Sequence, residues 1–352
     1  NIKNKFLNFG INIHEFKRLS MYLPSKEKSN SIYKSPVKQV PNVKKQLVTN
    51  IYNISRKMGD GFKGMHWKRV LSKIDSQIFL RRSGSEGIKY ISKFTKKTGK
   101  KFIFNAAHIK DCDLSFKKED WTNNDKIVQK NYIIGLKNAD LIIVLANYMK
   151  VELEKYLKDK DIRVVTNGFP IVPEHELLEK THPPFILWAA RFVSFKNPNL
   201  VLKIANSLPK YNFIMCGDGP LFKDIFEKAK NIPNLKLLGY VHFKKINELF
   251  NMASVFLNTS SSEGFPNTYI QAWYRKTPVV SMYVDPDEII CKNNLGLHSD
   301  SIDKIVEYIE LLLNDDKLRS TIGINCRKYA IENHNIKKVA DQHYKIYKEL
   351  IS

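Results

Sequence analysis

The sequence predicts an α/β protein in which two doubly wound, Rossmann-like parallel sheets face a central cleft. Short apolar runs typical of buried strands alternate with helical segments from about residue 70 onwards. The alternation falls into two blocks, and residues 171–184 between them contain three prolines. Such a stretch is typical of an interdomain linker.

The first block is predicted to contain four strands and three helices. The strands are expected at residues 74–80, 101–107, 141–145 and 162–165, and the helices at 86–98, 125–138 and 151–157. Residues 81–85 are expected to form the exit loop of the first strand, and Gly99 is expected to end the first helix.

Residues 1–60 match no strand–helix unit. Residues 26–45 are polar and contain two prolines, so we expect a loop there. Because no glycine-rich first strand–turn–helix unit is visible, we expect an incomplete N-terminal unit. The sequence begins at Asn1 and not at a methionine, which is compatible with a missing native beginning.

The second block alternates more regularly. Strands are expected at residues 185–190, 211–216, 235–238, 253–258 and 277–280. Helices are expected at residues 199–208, 244–251, 301–313, 316–332 and 336–350. Two further helices are expected, one that follows the glycine turn at 217–220 and ends at residue 229, and one that follows the Glu263 loop and ends before residue 277. We therefore predict an N-terminal domain at 1–168, a linker at 169–184 and a C-terminal domain at 185–335. The last helix, within 336–352, is expected to pack back on the first domain.

Composition restricts the class of protein. With 352 residues the chain has room for about two domains with sizeable cores. No apolar run approaches the roughly 20 residues that span a bilayer, and the lysine-rich start lacks the apolar segment of a signal peptide. The four widely spaced cysteines favour neither zinc nor a disulfide framework, so we expect a reducing, cytoplasmic location.

The positive charge is concentrated at one end of the chain. Residues 1–110 contain 25 Lys+Arg and 5 Asp+Glu, and they account for most of the net charge of +23. Such a field attracts anionic lipid or nucleic acid. No nucleic-acid-binding motif accompanies it, so we expect an anionic membrane surface as the partner, with peripheral attachment at the inner membrane face. Simple solubility is the alternative.

The loop between the predicted strand at 253–258 and the following helix is the strongest candidate site. Glu263 lies in this loop, directly before Gly264. The first N–H groups of a helix lack partners within the helix and attract anions, and open α/β sheets bind ligands in such loops. This pattern suggests a sugar or phosphate ligand, with Glu263 contacting hydroxyls. An ordinary strand–helix loop is the alternative.

Four short motifs, in order, resemble those of retaining glycosyltransferases of the GT-B fold, family-4 type (glycosyl transferases group 1). They are Asn167-Gly168-Phe169-Pro170, Arg191-Phe192-Val193-Ser194-Phe195-Lys196, Gly217-Asp218-Gly219-Pro220 and Ser262-Glu263-Gly264-Phe265-Pro266-Asn267-Thr268. Together they cover most of residues 160–290, whereas the first domain is similar only in outline.

The resemblance implies roles for individual residues. Arg191 and Lys196 would hold the diphosphate of a nucleotide sugar, Glu263 would contact the hydroxyls of the donor sugar, and His108 would face the far side of that sugar. Further donor-binding positions would be Gly217 in the glycine turn, and the backbone near Tyr240 and Val241, which would line the base pocket. The backbone of Gly264, Phe265, Pro266, Asn267 and Thr268 would hold sugar and phosphate.

One position departs from the family pattern. The second glutamate of the motif, eight residues after the first, is Gln271 here. In relatives that carboxylate accepts hydrogen bonds from both ribose hydroxyls, whereas an amide offers one acceptor oxygen. We interpret the change as weaker or altered ribose binding.

Two DxD patterns suggest metal binding at first sight. They are Asp111-Cys112-Asp113 and Asp285-Pro286-Asp287. Metal-dependent DxD sites belong to the other glycosyltransferase fold, so we expect both patterns to be structural, with no metal and no cofactor beyond the nucleotide-sugar co-substrate. Gly217-Asp218-Gly219 is not a dinucleotide fingerprint, because the third glycine and the ribose-binding acid are missing.

The resemblance implies transfer of a hexose-type sugar from a UDP- or GDP-sugar to a hydroxyl of a glycan or lipid-linked acceptor, with retention, in surface polysaccharide synthesis. Gln271 leaves a second hypothesis open, a nucleotide-sugar-binding protein with weak or no turnover. A nucleotide-sugar epimerase would need acid and base groups that are not visible, and nucleic-acid binding remains a further alternative.

Overall fold

The computed structural model describes residues 13–16, 60–84, 87–115 and 123–352. The loop expected at residues 26–45 lies outside the described residues, as do the last residue of the expected exit loop, Ser85, and the first of the next expected helix, Glu86. In the described part of the chain no helix combines the length and apolarity that a membrane span requires.

Strands and helices alternate along the described chain. The strands are β1 Ile13–Phe16, β2 Ile78–Arg82, β3 Lys101–Asn105, β4 Leu141–Val144, β5 Ile162–Val164, β6 Phe185–Ala189, β7 Asn212–Cys216, β8 Leu235–Gly239, β9 Val255–Asn258, β10 Val279–Met282 and β11 Gly296–Ser299. The helices are α1 Asp60–Leu71, α2 Ile88–Thr98, α3 Asn123–Asn138, α4 Asn147–Glu154, α5 Pro198–Ser207, α6 Phe222–Ala229, α7 Phe243–Met252, α8 Asn267–Tyr274, α9 Ile289–Lys292, α10 Ile302–Asn314, α11 Asp316–Asn333 and α12 Ile336–Ile351.

Two sheets organise these elements. The first has the order β1-β2-β3-β4-β5, and the second has the order β11-β10-β9-β6-β7-β8. Every neighbouring pair in the second sheet is parallel, as are β1–β2 and β2–β3 in the first. The predicted α/β class with two parallel sheets is confirmed.

The chain forms two compact units. The larger contains residues 106–114 and 143–349, and the smaller contains the other described residues. In the smaller unit β2 pairs with β3 from Ile78 opposite Lys101 to Arg82 opposite Asn105. Its core includes Phe79, Phe102 and Phe104, which are fully buried because strands of a parallel sheet are covered on both faces.

The strand order of the second sheet reverses at β6. From β6 the chain moves outward through β7 and β8, then returns to the other side of β6 with β9 and continues through β10 and β11. At such a reversal the loops leaving the two adjacent strands diverge and open a crevice at their carboxyl ends. The loops that follow β6 and β9 therefore border the expected ligand position.

Element boundaries in the second sheet mostly lie within one or two residues of the predicted ones. In the first sheet the predicted end of β2 was wrong, because Arg81 and Arg82 belong to the strand and not to its exit loop. Arg81 is only 4% exposed and lies opposite Phe104, so pairing with β3 continues through the basic residues. The sequence prediction also missed β1, α1, α9 and β11, and it placed β10 two residues too early.

Residues 169–184 are held by contacts within the larger unit. Arg327 donates to the carbonyl of Val172 and forms an ion pair with Glu174, and Lys180 donates to Thr277 Oγ1 at 2.6 Å. Burial lowers the pKa of Lys180 to about 7. The segment predicted as a linker thus lies fixed against the second sheet's helices and strands.

Helix α12 contacts β5, an edge strand of the first sheet, and the residues that follow it. A Cβ at Gly168 would lie 2.9 Å from Ile336 Cα, and Arg163 forms an ion pair with Glu349 at 2.6 Å. These contacts lie within the larger unit, which includes β5 and α12 up to Glu349.

Candidate active site

Lys196 and Glu263 leave adjacent strands and meet as an ion pair. Lys196 ends the short 3₁₀ turn Ser194–Lys196 after β6, and Glu263 lies in the loop between β9 and α8. Lys196 Nζ donates a hydrogen bond to Glu263 Oε1, and the two side chains are only 18% and 11% exposed. The reversal of strand order brings both loops to the same crevice.

The backbone around Lys196 is fixed by a chain of hydrogen bonds from β6 to the loop after β9. Trp188 Nε1 donates to Thr259 Oγ1 at 2.9 Å, and that hydroxyl donates to the carbonyl of Lys196 at 2.7 Å. Asn197, in a left-handed conformation with φ 48°, donates from its side chain to the carbonyl of Thr259. These hydrogen bonds fix the backbone of the turn that carries Lys196.

His108 lies against the same loop. It forms an isolated antiparallel bridge with Gly264, and its ring meets the ring of Phe195 edge-on at 5.5 Å. The next residue, Ile109, donates its N–H to the carbonyl of Glu263 at 3.1 Å. Burial lowers the pKa of His108 below its ordinary value, although nearby Glu263 opposes that shift. A neutral imidazole therefore faces the candidate site near pH 7.

Tyr148 contacts the peptide groups that carry Glu263. Its hydroxyl donates to the carbonyls of Glu263 at 2.8 Å and Gly264 at 2.9 Å. The carboxylate of Asp287 accepts the N–H groups of Asn147 at 2.6 Å and of Tyr148 at 2.7 Å, at the start of α4. Burial raises the pKa of Tyr148, so its hydroxyl stays protonated and acts as a donor.

Helix α8 begins directly behind Glu263. Its N-cap, Pro266, makes no side-chain hydrogen bond to the helix and carries no N–H itself. Asn267 and Thr268, the first residues of the helix, are exposed and half-buried. Phe265 is 5% exposed and packs its ring against that of His334 at 4.9 Å. The side chain of Phe265 is therefore part of the core, which leaves its backbone as the part that could contact a ligand.

Gln271, which replaces the second glutamate of the family motif, lies on α8. It is 9% exposed, and its carbonyl accepts a hydrogen bond from Arg275 Nη1 at 3.0 Å.

The remaining predicted residues lie at the carboxyl ends of β6, β7 and β8. Arg191 is exposed, and no described contact joins its side chain to Lys196 or Glu263. Gly217 has φ +136°, and a Cβ there would lie 1.8 Å from the carbonyl oxygen of Ala190, so the backbone approach requires glycine. Beyond β8, Tyr240 is 65% exposed and Val241 is half-buried.

Three of the four aspartates in the two DxD patterns accept hydrogen bonds from backbone N–H groups. Asp111 Oδ2 accepts the N–H groups of Ala107 at 2.8 Å and His108 at 3.1 Å. Asp285 accepts the N–H groups of Ile290 and Cys291, and Asp287 those at the start of α4. These contacts give three of the four aspartates a structural role.

One group of side chains has the composition of a metal site. Ligand atoms of Asp285, Cys291 and His298 lie within 4.8 Å of one another. The pKa of the Cys291 thiol is raised to about 11 by burial and by the neighbouring Asp285, so the thiol is protonated at neutral pH. A metal bound here would have to displace that proton from the thiol.

A cavity of about 540 Å³ lies in front of the Glu263 loop, within the larger unit. Tyr148, Ser262, Glu263, Asp287 and Lys292 are among its lining residues. The lining is rich in carboxylates and hydroxyls, and these groups suit a neutral, hydroxyl-rich ligand better than an anionic one. The sequence analysis did not assign Tyr148 or Asp287 to the site. Asp287 could have been found because its loop follows β10, which is adjacent to β9, so that the loop leaves the sheet beside the loop that carries Glu263.

Comparison with known proteins agrees with this geometry. Residues 173–329 match the family model described as "Glycosyl transferases group 1". That segment includes Arg191, Lys196, Gly217, Glu263 and Gln271. The region of the chain that carries the candidate site is thus the region that matches the glycosyltransferase family model.

Two curated relatives and one solved structure illustrate the similarity. The chain is 28% identical over 239 residues to an uncharacterized glycosyltransferase of Methanocaldococcus jannaschii, a match that covers 64% of this chain and 66% of the relative. It is 25% identical over 245 residues to the Escherichia coli UDP-Gal:alpha-D-GlcNAc-diphosphoundecaprenol alpha-1,3-galactosyltransferase, which covers 65% of this chain and 59% of the relative. A crystal structure of a mutant of S. aureus TarM in complex with fondaparinux, alpha-GlcNAc-glycerol and UDP has a TM-score of 0.66 at 18% identity, covering 80% of this chain and 58% of TarM. This likeness shows the GT-B fold.

Proposed function

We propose that this chain, whose residues 173–329 carry the group 1 glycosyltransferase signature, is a retaining, metal-independent glycosyltransferase. In the proposed reaction a hexose-type sugar passes from a UDP- or GDP-sugar to a hydroxyl of a glycan or lipid-linked acceptor. The product would belong to the synthesis of a surface polysaccharide such as lipopolysaccharide.

The observation that carries the proposal is the Lys196–Glu263 ion pair at the reversal of strand order. A nucleotide sugar has an anionic diphosphate beside a hydroxyl-rich sugar, and the pair offers an ammonium for the first and a carboxylate for the second. Arg191 lies at the end of β6 in an exposed position from which its long side chain can reach an anion.

The group that most needs stabilisation during the reaction is the diphosphate of the leaving nucleotide. As the glycosidic bond breaks, negative charge grows on the leaving nucleoside diphosphate, and cationic groups at that position lower the barrier. In the proposed site Lys196 and Arg191 stabilise this charge, together with the uncapped N–H groups at the start of α8.

Binding of the donor would also rearrange the ion pair. Without a ligand, Lys196 Nζ is bonded to Glu263. A diphosphate competes for the ammonium, and the released carboxylate becomes free to accept hydrogen bonds from sugar hydroxyls. Glu263 thus positions the sugar in this proposal and forms no covalent intermediate, while neutral His108 faces the same ligand.

Named relatives support the donor and acceptor classes. The E. coli relative is described as using UDP-Gal and a diphosphoundecaprenol-linked acceptor. A Campylobacter jejuni relative, 26% identical over 225 residues, is described as acting on an undecaprenol-linked glycan. We extend to this chain the UDP-sugar donor of the E. coli relative and the lipid-linked acceptor that both names give.

A peripheral location at an anionic membrane surface is part of the proposal. In the described part of the smaller unit, exposed basic residues lie on or beside two helices: Lys68, Arg69 and Lys73 at α1, and Lys93, Lys96 and Lys97 on α2. Each such residue near an anionic surface contributes about 1 kcal/mol to attachment. This contribution would bring the enzyme to a lipid-linked acceptor.

The test is a screen of UDP-, GDP- and ADP-sugars for thermal stabilisation, followed by turnover assays with undecaprenol-linked glycan acceptors in anionic vesicles. We expect one UDP- or GDP-sugar to raise the melting temperature and to release its nucleoside diphosphate in the presence of acceptor. Turnover should persist in EDTA, and the new linkage should have the anomeric configuration of the donor. Complete loss of turnover in EDTA would contradict metal independence, and an inverted product would contradict retention.

Gln271 favours one second candidate, a nucleotide-sugar-binding protein without turnover. An amide in place of the motif carboxylate offers fewer acceptors to the ribose. Stabilisation by a donor sugar without release of nucleoside diphosphate for any acceptor, in both the native chain and Gln271→Glu, would select this candidate. Release by the native chain would exclude it.

A further inference from the structure

Tyr148 contacts the loop that carries Glu263 through its hydroxyl. Its O–H lies within hydrogen-bond distance of two consecutive carbonyls, those of Glu263 and Gly264. Because the raised pKa keeps this hydroxyl protonated, one proton serves two acceptors of the peptide segment that carries the Glu263 side chain. The carbonyl of Glu263 also accepts the N–H of Ile109.

Asp287 holds Tyr148 in turn. Its two carboxylate oxygens accept the N–H groups of Asn147 and Tyr148 at 2.6 and 2.7 Å. A carboxylate at the start of a helix satisfies otherwise unpaired donors and interacts favourably with the helix dipole. The contact therefore fixes the first turn of α4, from which the Tyr148 side chain extends.

The loop that carries Asp287 has an unusual backbone. Tyr283, Asp287 and Glu288 have φ values of 67°, 55° and 59°, in a region that non-glycine residues seldom occupy. Strain of this kind persists where surrounding contacts enforce it, and it is concentrated at functional sites. All three residues line the cavity in front of Glu263.

We infer that Asp287 and Tyr148 are positioning residues for Glu263, with Asp287 acting through Tyr148. The inference rests on the proposed transfer reaction for its kinetic readout. Tyr148 sets the position of the Glu263–Gly264 peptide, and so directs the carboxylate at the donor sugar. A shift of about 1 Å in such a group lowers the rate of a positioned reaction by about 100-fold.

The expected kinetic effect falls on kcat. The cationic groups that would bind the diphosphate, Lys196 and Arg191, lie on the loop after β6 and do not contact Tyr148 in the described structure. We therefore expect Tyr148→Phe to lower kcat by about 10- to 100-fold while the KM for the donor changes by less than about threefold. The matched control is Tyr156→Phe, which removes an exposed hydroxyl just beyond α4 and should leave both constants unchanged.

Asp287 supplies the second comparison. Asp287→Ala should lower kcat to a similar extent, whereas Asp287→Asn should be intermediate, because an amide oxygen accepts hydrogen bonds but lacks the second acceptor and the charge. The control Asp303→Asn removes an exposed carboxylate from the first turn of α10. If Asp287 acts through Tyr148, the double variant Asp287→Ala with Tyr148→Phe is no slower than the slower single variant.

Backbone hydrogen exchange gives a readout that does not need turnover. We expect residues 260–266 to exchange faster in Tyr148→Phe and in Asp287→Ala than in the native chain, with the second sheet's core strands unchanged. If no donor supports turnover, the proposed function fails while the exchange data still decide the positioning role. Native exchange in both variants, a native kcat in Tyr148→Phe or multiplicative losses in the double variant would each overturn the inference.

Discussion

The ammonium of Lys196 forms an ion pair with the carboxylate of Glu263, although 67 residues separate them in the sequence. The pair exists because β6 and β9 are adjacent in the sheet while the strands between them in sequence, β7 and β8, lie on the other side of β6. Both side chains are more than four-fifths buried, and each charge compensates part of the other's loss of hydration.

Lys196→Ala should lower kcat/KM for the donor by about 10²- to 10³-fold, because the departing diphosphate loses a cation at close range. Lys196→Arg should recover part of that loss. The measurement is steady-state release of nucleoside diphosphate, with Lys203→Ala, an exposed lysine on α5, as the control. Native turnover in Lys196→Ala would remove Lys196 from the diphosphate site.

Arg191→Ala should abolish the thermal stabilisation that UDP or GDP produces in the native chain. Arg191 has an exposed side chain, so its removal should leave the melting temperature without ligand nearly unchanged. Lys223→Ala, at an exposed position of α6, is the control for loss of one positive charge. A nucleotide-induced shift of native size in Arg191→Ala would show that the diphosphate binds elsewhere.

Much of the second sheet could be predicted from the sequence. The strands β6, β7 and β9 are short apolar runs followed by loops with glycine or serine, so hydrophobic pattern and loop chemistry agree. Lys196 and Glu263 follow two of these strands. The rule that ligands bind at the carboxyl ends of parallel strands indicated the Glu263 loop, and the resemblance to the family motifs added Lys196 to the same site.

The contacts behind Glu263 could not be predicted in the same way. Tyr148 is 115 residues from Glu263, and its contact depends on tertiary packing that no local pattern records. The left-handed conformations of Asp287 and Glu288 occur at residues for which sequence predicts ordinary backbone. Strand β11 was missed because His298 and Ser299 interrupt the apolar pattern of a strand at the sheet edge.

His108 predicts a dependence of activity on pH. Burial lowers its pKa, so the imidazole is neutral at pH 7 and gains a proton only below pH 6.5. The added charge would compete with Lys196 for Glu263, so kcat/KM should fall on the acidic side. His108→Asn should lack that part of the profile, whereas His175→Asn, at an exposed position, should keep it. An unchanged acidic limb in His108→Asn would show that another group causes it.

Gly264→Ala should strongly reduce activity. An added Cβ would lie 2.4 Å from the carbonyl oxygen of Ala107, which belongs to backbone and cannot rotate away. The loop that carries Glu263 would have to move, and its bridge to His108 would be lost. Gly64→Ala is a matched control, because a Cβ there meets only Tyr90 at 3.7 Å and the position lies in helix α1. We expect turnover to fall at least about 10-fold in Gly264→Ala and to remain native in Gly64→Ala.

His334 predicts a loss of stability in acid. Its ring packs against those of Phe265 and Trp273, its Nδ1 donates to the carbonyl of Asn167 at 2.9 Å, and its buried Nε2 has no hydrogen-bond partner. Burial lowers its pKa to about 4, from 6.5 in an unfolded chain. The unfolded state therefore binds more protons than the folded state between these values, and stability falls as the pH falls from 6.5 to 4.

The size of this effect follows from the shift. Each pKa unit corresponds to about 1.4 kcal/mol, so the His334 contribution to the free energy of unfolding decreases by up to about 3 kcal/mol across that range. Urea unfolding at pH 7 and pH 4 measures it. His334→Gln should lose less stability between the two pH values than the native chain, whereas His175→Gln, with an exposed ring in the native chain, should lose as much. Equal losses in all three proteins would mean that His334 is charged or solvated in the folded state, and that Phe265 is not packed against a neutral ring.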